Sequence, residues 1–235
     1  MGLLDTLLGR TKPVKANLDQ LFSLSGAAIT LQASTGLVPS GRAGVCAKPP
    51  TGPSFDQMQR DIDALLAVGD VPTDPAPGAT LPAAGDPASA SSTGGAVVPA
   101  DDGSGMAEAA DITVRHATDS FGYSWVVVDG GAIEDLVTRV HMVHSSLEDA
   151  GWGTQLLCSV FGFRPGPDAG PDSLTRPLFL VYLAKRGTFY PFVPTGHQQR
   201  DSELQLRVRS IVGSDLPMEQ DLARWFPLWD LPVAG

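Results

Sequence analysis

Residues 178–193 read LFLVYLAKRGTFYPFV, and the clearest indication of the fold class comes from these residues. Two runs of aliphatic, aromatic and β-branched residues, 178–184 and 188–193, are separated by Lys185-Arg186-Gly187. Such runs favour strands, and a short connection that contains glycine is typical of a β-hairpin. Because the two strands of a hairpin are antiparallel, the sequence predicts an antiparallel sheet built around this segment.

Upstream of the hairpin, the sequence predicts three more strands and one long helix. Residues 155–163 are almost wholly apolar, which is typical of a strand buried on both faces. Residues 132–149 carry apolar side chains at helical spacing and are followed by Gly151, a pattern that predicts a helix and its end. Further strands are expected over 111–117 and 121–128.

Helices are also expected over 199–212 and 217–226, after which an aromatic segment is expected to lie over the body of the protein. In the N-terminal part, the sequence predicts a helix over 17–24, strands over 26–33 and 42–48 with a turn at 39–41, and a helix over 55–66. The predicted fold class is α+β: a mostly antiparallel sheet with helices packed on one face.

The charge of −10 is concentrated in one segment. Residues 61–114 contain no Lys or Arg and carry nine acidic residues. Residues 67–110 are rich in Pro, Ala, Gly, Ser and Asp, and so polar a segment cannot offset the entropy lost on ordering. We predict a disordered acidic linker at 67–110, either a docking tail or a tolerated insertion, between parts 1–66 and 111–235 of one domain. No basic stripe is present, so nucleic-acid binding is not expected.

The sequence offers neither an export signal nor an uninterrupted apolar run of transmembrane length. The expected location is therefore the cytoplasm, where thiols stay reduced. Cys46 and Cys158 both lie in apolar surroundings, and we expect two buried, reduced side chains. A disulfide between them is the alternative.

No arrangement typical of catalysis is found in the sequence. It has no Gly-x-Ser-x-Gly elbow and no glycine-rich phosphate loop, and Cys158 lies in an apolar strand that disfavours its thiolate. His141, His144 and Glu148 on one helix suggest a metal site, but helical geometry places His144 within the apolar face. We expect one packed, hydrogen-bonded histidine and one solvated one, with no enzyme activity, cofactor or metal.

Two segments are candidates for binding. The hairpin turn places two basic residues beside aromatic ones, which fits contact with an acidic partner or a lipid, although an ordinary charged turn is the alternative. A leucine stripe followed by basic residues at the N-terminus is typical of contact with an anionic membrane, or of packing on the protein or a partner. The first set is Lys185, Arg186, Phe189, Tyr190, Trp225 and Trp229. The second set is Leu3, Leu4, Leu7, Leu8, Arg10 and Lys12.

Several blocks of the chain are distinctive as written: MGLLDTLLGRTKP at 1–13, LEDAGWG at 147–153, the runs 155–163 and 183–192, and RWFPLW at 224–229. Together they resemble the PspAB family, the phage-shock-protein-A-associated proteins of actinobacteria and archaea. The resemblance covers residues 1–66 and 111–233 and leaves the acidic segment outside. It implies a role in the cell-envelope stress response beside the membrane-coating PspA protein, and it supplies neither catalytic nor binding residues.

The first functional hypothesis is a non-enzymatic adaptor or regulator that acts with the PspA-type coat protein. A peripheral membrane-binding protein that uses the leucine stripe is the second. The third is a chaperone-like module that holds a peptide on a concave apolar patch near Phe161, Tyr182 and Tyr190.

Overall fold

The computed structural model describes residues 18–49, 57, 59–60, 62–64, 112–167 and 174–234. In this part of the chain, six antiparallel strands form one sheet, and the helices pack on one of its faces. The predicted α+β class is confirmed. The second candidate set, from Leu3 to Lys12, and the whole predicted acidic linker at 67–110 lie outside the described residues, so these predictions remain untested.

Three α-helices have full bounds: α1 Ser23–Thr35, α2 Ile133–Asp149 and α3 Ser202–Val212. A 3-10 turn, Leu18–Phe22, leads into α1, and Gly36 ends that helix in the left-handed conformation at φ 70°. Asp201 caps α3 by accepting a hydrogen bond from the backbone N–H of Leu204 at 2.9 Å. The described residues between 57 and 64 are helical, as expected.

The sheet has the strand order β2-β3-β1-β4-β5-β6. Its strands are β1 Leu37–Ala47, β2 Thr113–Thr118, β3 Ser124–Asp129, β4 Leu156–Pro165, β5 Leu178–Leu183 and β6 Thr188–Phe192. A separate two-stranded ribbon follows, β7 Pro194–Gly196 with β8 Gln199–Arg200. The predicted hairpin is confirmed as β5 and β6, with Leu183 paired to Thr188. Strand β1 lies inside the sheet, between β3 and β4.

Both faces of the sheet are buried over most of its strands, whereas the edge strand β2 is half-exposed, and alternate residues of a strand face opposite layers. On β5, for example, Leu180 and Tyr182 pack under the helices, whereas Phe179 and Val181 pack on the second face. The second face is covered by the C-terminal residues 225–233, which we call the strap. The predicted aromatic cover is thus present, and it occupies the sheet face that has no helix.

The structure corrects the predicted strand at 26–33, which is part of α1. Its alternation came from small residues, whereas the buried side chains recur at the helical spacing of Leu24, Ala27, Ala28 and Leu31. The turn predicted at 39–41 is also wrong, because β1 runs through these residues. Strand β1 accommodates Pro39 through an irregularity: the five residues from Pro39 to Ala43 lie opposite only three residues of β4, 161–163.

Two C-terminal predictions are corrected as well. Residues 199–200 form β8, so α3 begins only at Ser202. The helix predicted over 217–226 is reduced to a 3-10 turn, Leu222–Arg224. Its first residues are extended because they pair with the edge of β6: the N–H of Phe189 donates to the carbonyl of Pro217, and the N–H of Glu219 donates to the carbonyl of Phe189.

Candidate binding groove

The basic turn of the hairpin is less free than the sequence suggested. Lys185 is exposed, but Arg186 is paired with Glu219, whose side chain is 2% exposed. Glu219 also accepts hydrogen bonds from the hydroxyl of Thr188 at 3.1 Å and the N–H of Asp221 at 3.0 Å. Arg186 therefore joins the hairpin turn to the segment that leads into the strap.

The pKa of Glu219 follows from this environment. Burial raises the pKa, but the hydrogen bonds from Arg186, the Asp221 backbone and Thr188 lower it, and the net pKa lies below the ordinary value. The carboxylate stays charged at neutral pH and keeps Arg186 in place.

The aromatic residues of the first candidate set are mostly interior. Phe189, Tyr190 and Trp225 are 0%, 1% and 4% exposed. Phe189 packs under the helices against Tyr182, and Trp225 stacks on Tyr190 with ring centroids 6.1 Å apart. These three side chains are therefore not exposed in the folded protein, because both faces of the sheet are covered at the hairpin. Trp229 is half-buried.

The patch predicted near Phe161, Tyr182 and Tyr190 is absent for the same reason. Phe161 and Tyr182 are fully buried under the helices, and Tyr190 lies on the opposite face. These three residues do not form one surface.

The structure instead shows an apolar groove on the second sheet face, between the β2–β3 turn and the strap. Its volume is about 450 Å³. The rim carries Phe121, Tyr123 and Phe226, which are 62%, 38% and 56% exposed. The other lining residues are Cys46, Asp119, Trp125, Leu157, Cys158, Leu183, Tyr190, Pro227, Leu228 and Trp229. We call this the aromatic groove.

One wall of the aromatic groove is held by Asp119. Its carboxylate accepts hydrogen bonds from the backbone N–H groups of Phe121 and Tyr123, both at 2.9 Å, and from the indole N–H of Trp125 at 3.0 Å. Gly122 allows the tight turn between the two rim residues because its φ is 81°. The turn is fixed by its backbone, and its aromatic rings project at the rim.

The opposite wall is held by hydrogen bonds to the strap. The Tyr190 hydroxyl donates to the carbonyl of Phe226 at 2.9 Å, and the Arg200 guanidinium donates to the carbonyl of Trp225 at 2.5 Å. Trp229 meets Phe192 edge-on with centroids 5.4 Å apart. Because both walls are tied to the sheet, the groove is preorganised.

The floor of the groove contains the two cysteines. Both thiols are free and buried, as expected, and the register places Cys46 opposite Cys158 on neighbouring strands. A hydrogen bond to Cys158, burial and the charge of Asp119 raise the pKa of Cys46 far above its ordinary value. Burial likewise raises the pKa of Tyr190. Neither group ionises at neutral pH, so these two side chains keep the floor uncharged.

Of the two histidines of α2, His144 is packed in the core, as expected. His144 is fully buried, and its Nε2 lies 2.5 Å from the hydroxyl of Ser159. Burial, and then the nearby His141, lower the pKa of His144 to about 3, so the ring is neutral. Among the described residues, no group of three or more His, Cys, Asp or Glu side chains is placed to hold a metal ion.

Sequence reasoning missed the groove because its lining comes from distant parts of the chain. Phe121 was read as the start of a strand, yet it lies in the turn that Asp119 organises. The signals that point to the groove are an Asp that can cap its own turn and the aromatic run at 225–229. No local pattern shows that they face each other.

The fold and groove together define an α+β domain with a preorganised apolar groove on its second sheet face, a kind of surface that usually binds another molecule. The chain belongs to the PspAB family, described as PspA associated protein B, whose model matches residues 1–77 and 104–233. The match includes every residue that lines the groove. No curated protein and no solved structure matches the chain significantly. Within the described residues, none of the helices has the length and apolar character needed to cross a membrane.

Proposed function

We propose that this protein is a non-enzymatic adaptor or regulator of the phage-shock, cell-envelope stress response, and that it binds a PspA-type protein through the aromatic groove. The observation that carries the proposal is a fixed groove with exposed aromatic rims in a protein of the PspA-associated family. Aromatic side chains on rigid backbone are the usual anchors of protein interfaces, because they bury a large area at little entropic cost.

The size and charge of the groove define what it accepts. A volume of about 450 Å³ holds a few side chains rather than a whole helix, which fits a row of apolar side chains on one face of a partner helix. Beyond the lining residues, β1 leads into Lys48 and β5 towards Lys185, and both lysines are exposed. A partner helix with acidic residues beside its apolar row matches this arrangement.

The chemistry of the groove supports binding rather than catalysis. Asp119, the carboxylate that lines it, already accepts three hydrogen bonds, so it is poorly placed as a general base. A hydrogen bond to Cys158 and burial raise the pKa of Cys46, so this thiol stays protonated at neutral pH. Neither Asp119 nor Cys46 is therefore suited to act as a general base.

Binding of the purified protein to the purified PspA-type protein of the same cell, measured by calorimetry, tests the proposal. The double variant Phe121→Ala/Phe226→Ala removes two exposed rim rings and is expected to weaken the Kd about tenfold or more. The matched control is Ile29→Ala/Leu206→Ala, which removes exposed apolar side chains from α1 and α3 and should leave the Kd unchanged. Equal Kd values for wild type and the rim variant would refute the groove as the docking site.

The hairpin contribution is tested by Lys185→Glu alone. Arg186→Glu is unsuitable because it would place a second acidic residue beside buried Glu219 and disturb the fold. We expect Lys185→Glu to slow association and to reduce the salt dependence of binding. Unchanged kinetics at low salt would remove Lys185 from the interface.

Sedimentation with anionic vesicles, with and without residues 1–15, tests the alternative of direct membrane binding. The adaptor proposal expects the PspA-type protein to bind equally well in the absence of lipid. If the PspA-type protein binds only when vesicles and residues 1–15 are present, and the Phe121→Ala/Phe226→Ala variant binds as well as wild type, the peripheral membrane-binding alternative would be favoured.

A further inference from the structure

Cys46 and Cys158 lie opposite each other on neighbouring strands, and both are free thiols in this structure. They are direct partners on the antiparallel strands β1 and β4. Partners of this kind have Cα atoms about 4.5–5.5 Å apart, inside the range of about 4.4–6.8 Å found in disulfides. Both side chains lie on the second face and line the aromatic groove.

We propose that Cys46 and Cys158 are a modification site, a dithiol that a small-molecule disulfide oxidises to an internal cross-strand disulfide. In the first step one thiolate attacks the oxidant R–S–S–R, forms a mixed disulfide and releases one R–SH. In the second step the other thiol loses its proton, attacks the bound sulfur and displaces the second R–SH. The protein loses two hydrogen atoms, and the oxidant is reduced to two thiols.

The aromatic groove gives the oxidant its route to the two thiols, because Cys46 and Cys158 both line it. Because a thiolate is needed, the reaction accelerates as pH rises.

The position of the bond gives it a consequence for the whole fold. Strand β1 comes from the part of the chain before the acidic segment, and β4 comes from the part after it. The disulfide would covalently hold β1 in the middle of the sheet and enclose residues 47–157 in one loop. Closing so long a loop is expected to raise the Tm by on the order of 10 °C. This inference does not depend on the identity of the partner.

The test exposes the reduced, full-length protein to glutathione disulfide and analyses it by intact mass and non-reducing peptide mapping. We expect the mass to fall by two hydrogen atoms, a peptide that links Cys46 to Cys158, and a Tm that returns to its starting value on reduction. In Cys46→Ala or Cys158→Ala the internal bond cannot form, so the reaction should stop at a glutathione adduct on the remaining cysteine.

The same oxidant applied to the urea-unfolded chain controls for its activity. If the folded wild type keeps two free thiols, forms only intermolecular dimers, or stops at a glutathione adduct while the control reacts, the proposal is wrong. The wild-type measurement decides this even if an alanine variant fails to fold.

Discussion

At the scale of single residues, Glu219 shows how a surface turn and a covering segment become one unit. Its buried carboxylate accepts hydrogen bonds from Arg186 and Thr188 of the hairpin and from the backbone N–H of Asp221, which lies just before the strap. A buried carboxylate that accepts several hydrogen bonds stabilises the folded protein. Removing the carboxylate lowers the free energy of unfolding, because its donors are left without an acceptor.

Glu219→Gln is expected to lower the free energy of unfolding by about 1–3 kcal/mol at pH 7, because it removes the charge that holds three donors. The matched control, Asp221→Asn, disturbs the exposed pair with Arg224 and should cost less than about 1 kcal/mol. Urea denaturation of both variants measures the difference, and equal losses would contradict the role assigned to Glu219.

The same residue predicts a pH dependence. Because the folded-state pKa of Glu219 is lowered, its contribution is fully present above the unfolded value near 4.5 and is lost as pH falls through the folded value. The stability gap between wild type and Glu219→Gln should therefore narrow as pH drops below 4.5. A gap that stays constant down to the acid transition would argue against a charged Glu219.

Gly44 is the second residue whose identity the structure explains. A Cβ there would lie 2.8 Å from Cγ1 of Val233 and 3.3 Å from the ring of Trp125, so the strap packs directly on the backbone of β1. Gly44→Ala is expected to cost about 1–3 kcal/mol through overpacking. Gly26→Ala in α1 is the control: nothing lies within 4 Å, so it should stabilise by about 0.5–1 kcal/mol. Partial rescue of Gly44→Ala by Val233→Ala in thermal melts would confirm the contact, and no rescue would refute it.

At the scale of elements, two tryptophans of the strap that the sequence analysis placed in one candidate set have different roles. Trp225 is 4% exposed, stacks on Tyr190 and donates its indole N–H to the carbonyl of Glu219 at 3.1 Å. Trp229 is half-buried and lines the groove. The first tryptophan closes the core, and the second borders the proposed site.

We expect Trp225→Ala to cost about 3–5 kcal/mol and to expose the second sheet face, detected as increased binding of an apolar fluorescent dye. Trp229→Ala should keep most of the stability but weaken binding to the PspA-type protein. If Trp229→Ala destabilises as much as Trp225→Ala, or binds the partner normally, this division of roles fails.

Elements with one strong pattern were predictable, whereas elements set by contacts far along the chain were not. The hairpin β5–β6 and helix α2 follow from local periodicity and glycine-containing ends. Residues 26–33 were predicted as a strand partly because Ile29 and Thr30 favour strands locally. They form a helix because the face that carries Ala27, Ala28 and Leu31 is buried in the core. Residues 217–219 are extended because they form backbone hydrogen bonds with Phe189 on the edge strand β6. The local sequence does not predict this pairing.

At the scale of the whole molecule, the fold class could be predicted from the sequence, but the binding surface could not. Lys185 lies at an exposed turn, as predicted, whereas its aromatic neighbours Phe189 and Tyr190 are interior. The groove forms only when a turn after β2 and a strap more than 100 residues later meet across the sheet. Such a surface is a property of the topology.

The position of β1 makes a prediction about domain organisation. Because β1 pairs with both β3 and β4, the parts before and after the predicted linker should need each other to fold. We expect fragments 1–66 and 111–235 to be recovered together when co-expressed, and the larger fragment alone to aggregate. The control is Val45→Asp in the small fragment, which places a charge at a 1% exposed position and should abolish recovery. A stable, monomeric larger fragment on its own would contradict the prediction.

The most direct test of the groove as a docking site is site-specific photocrosslinking in cells under envelope stress. A benzophenone amino acid replaces Phe121 at the groove rim or, as the control, Ile29 on exposed α1. We expect a light-dependent adduct with the PspA-type protein from position 121 and none from position 29. Equal adducts from both positions, or an adduct from position 29 alone, would contradict it.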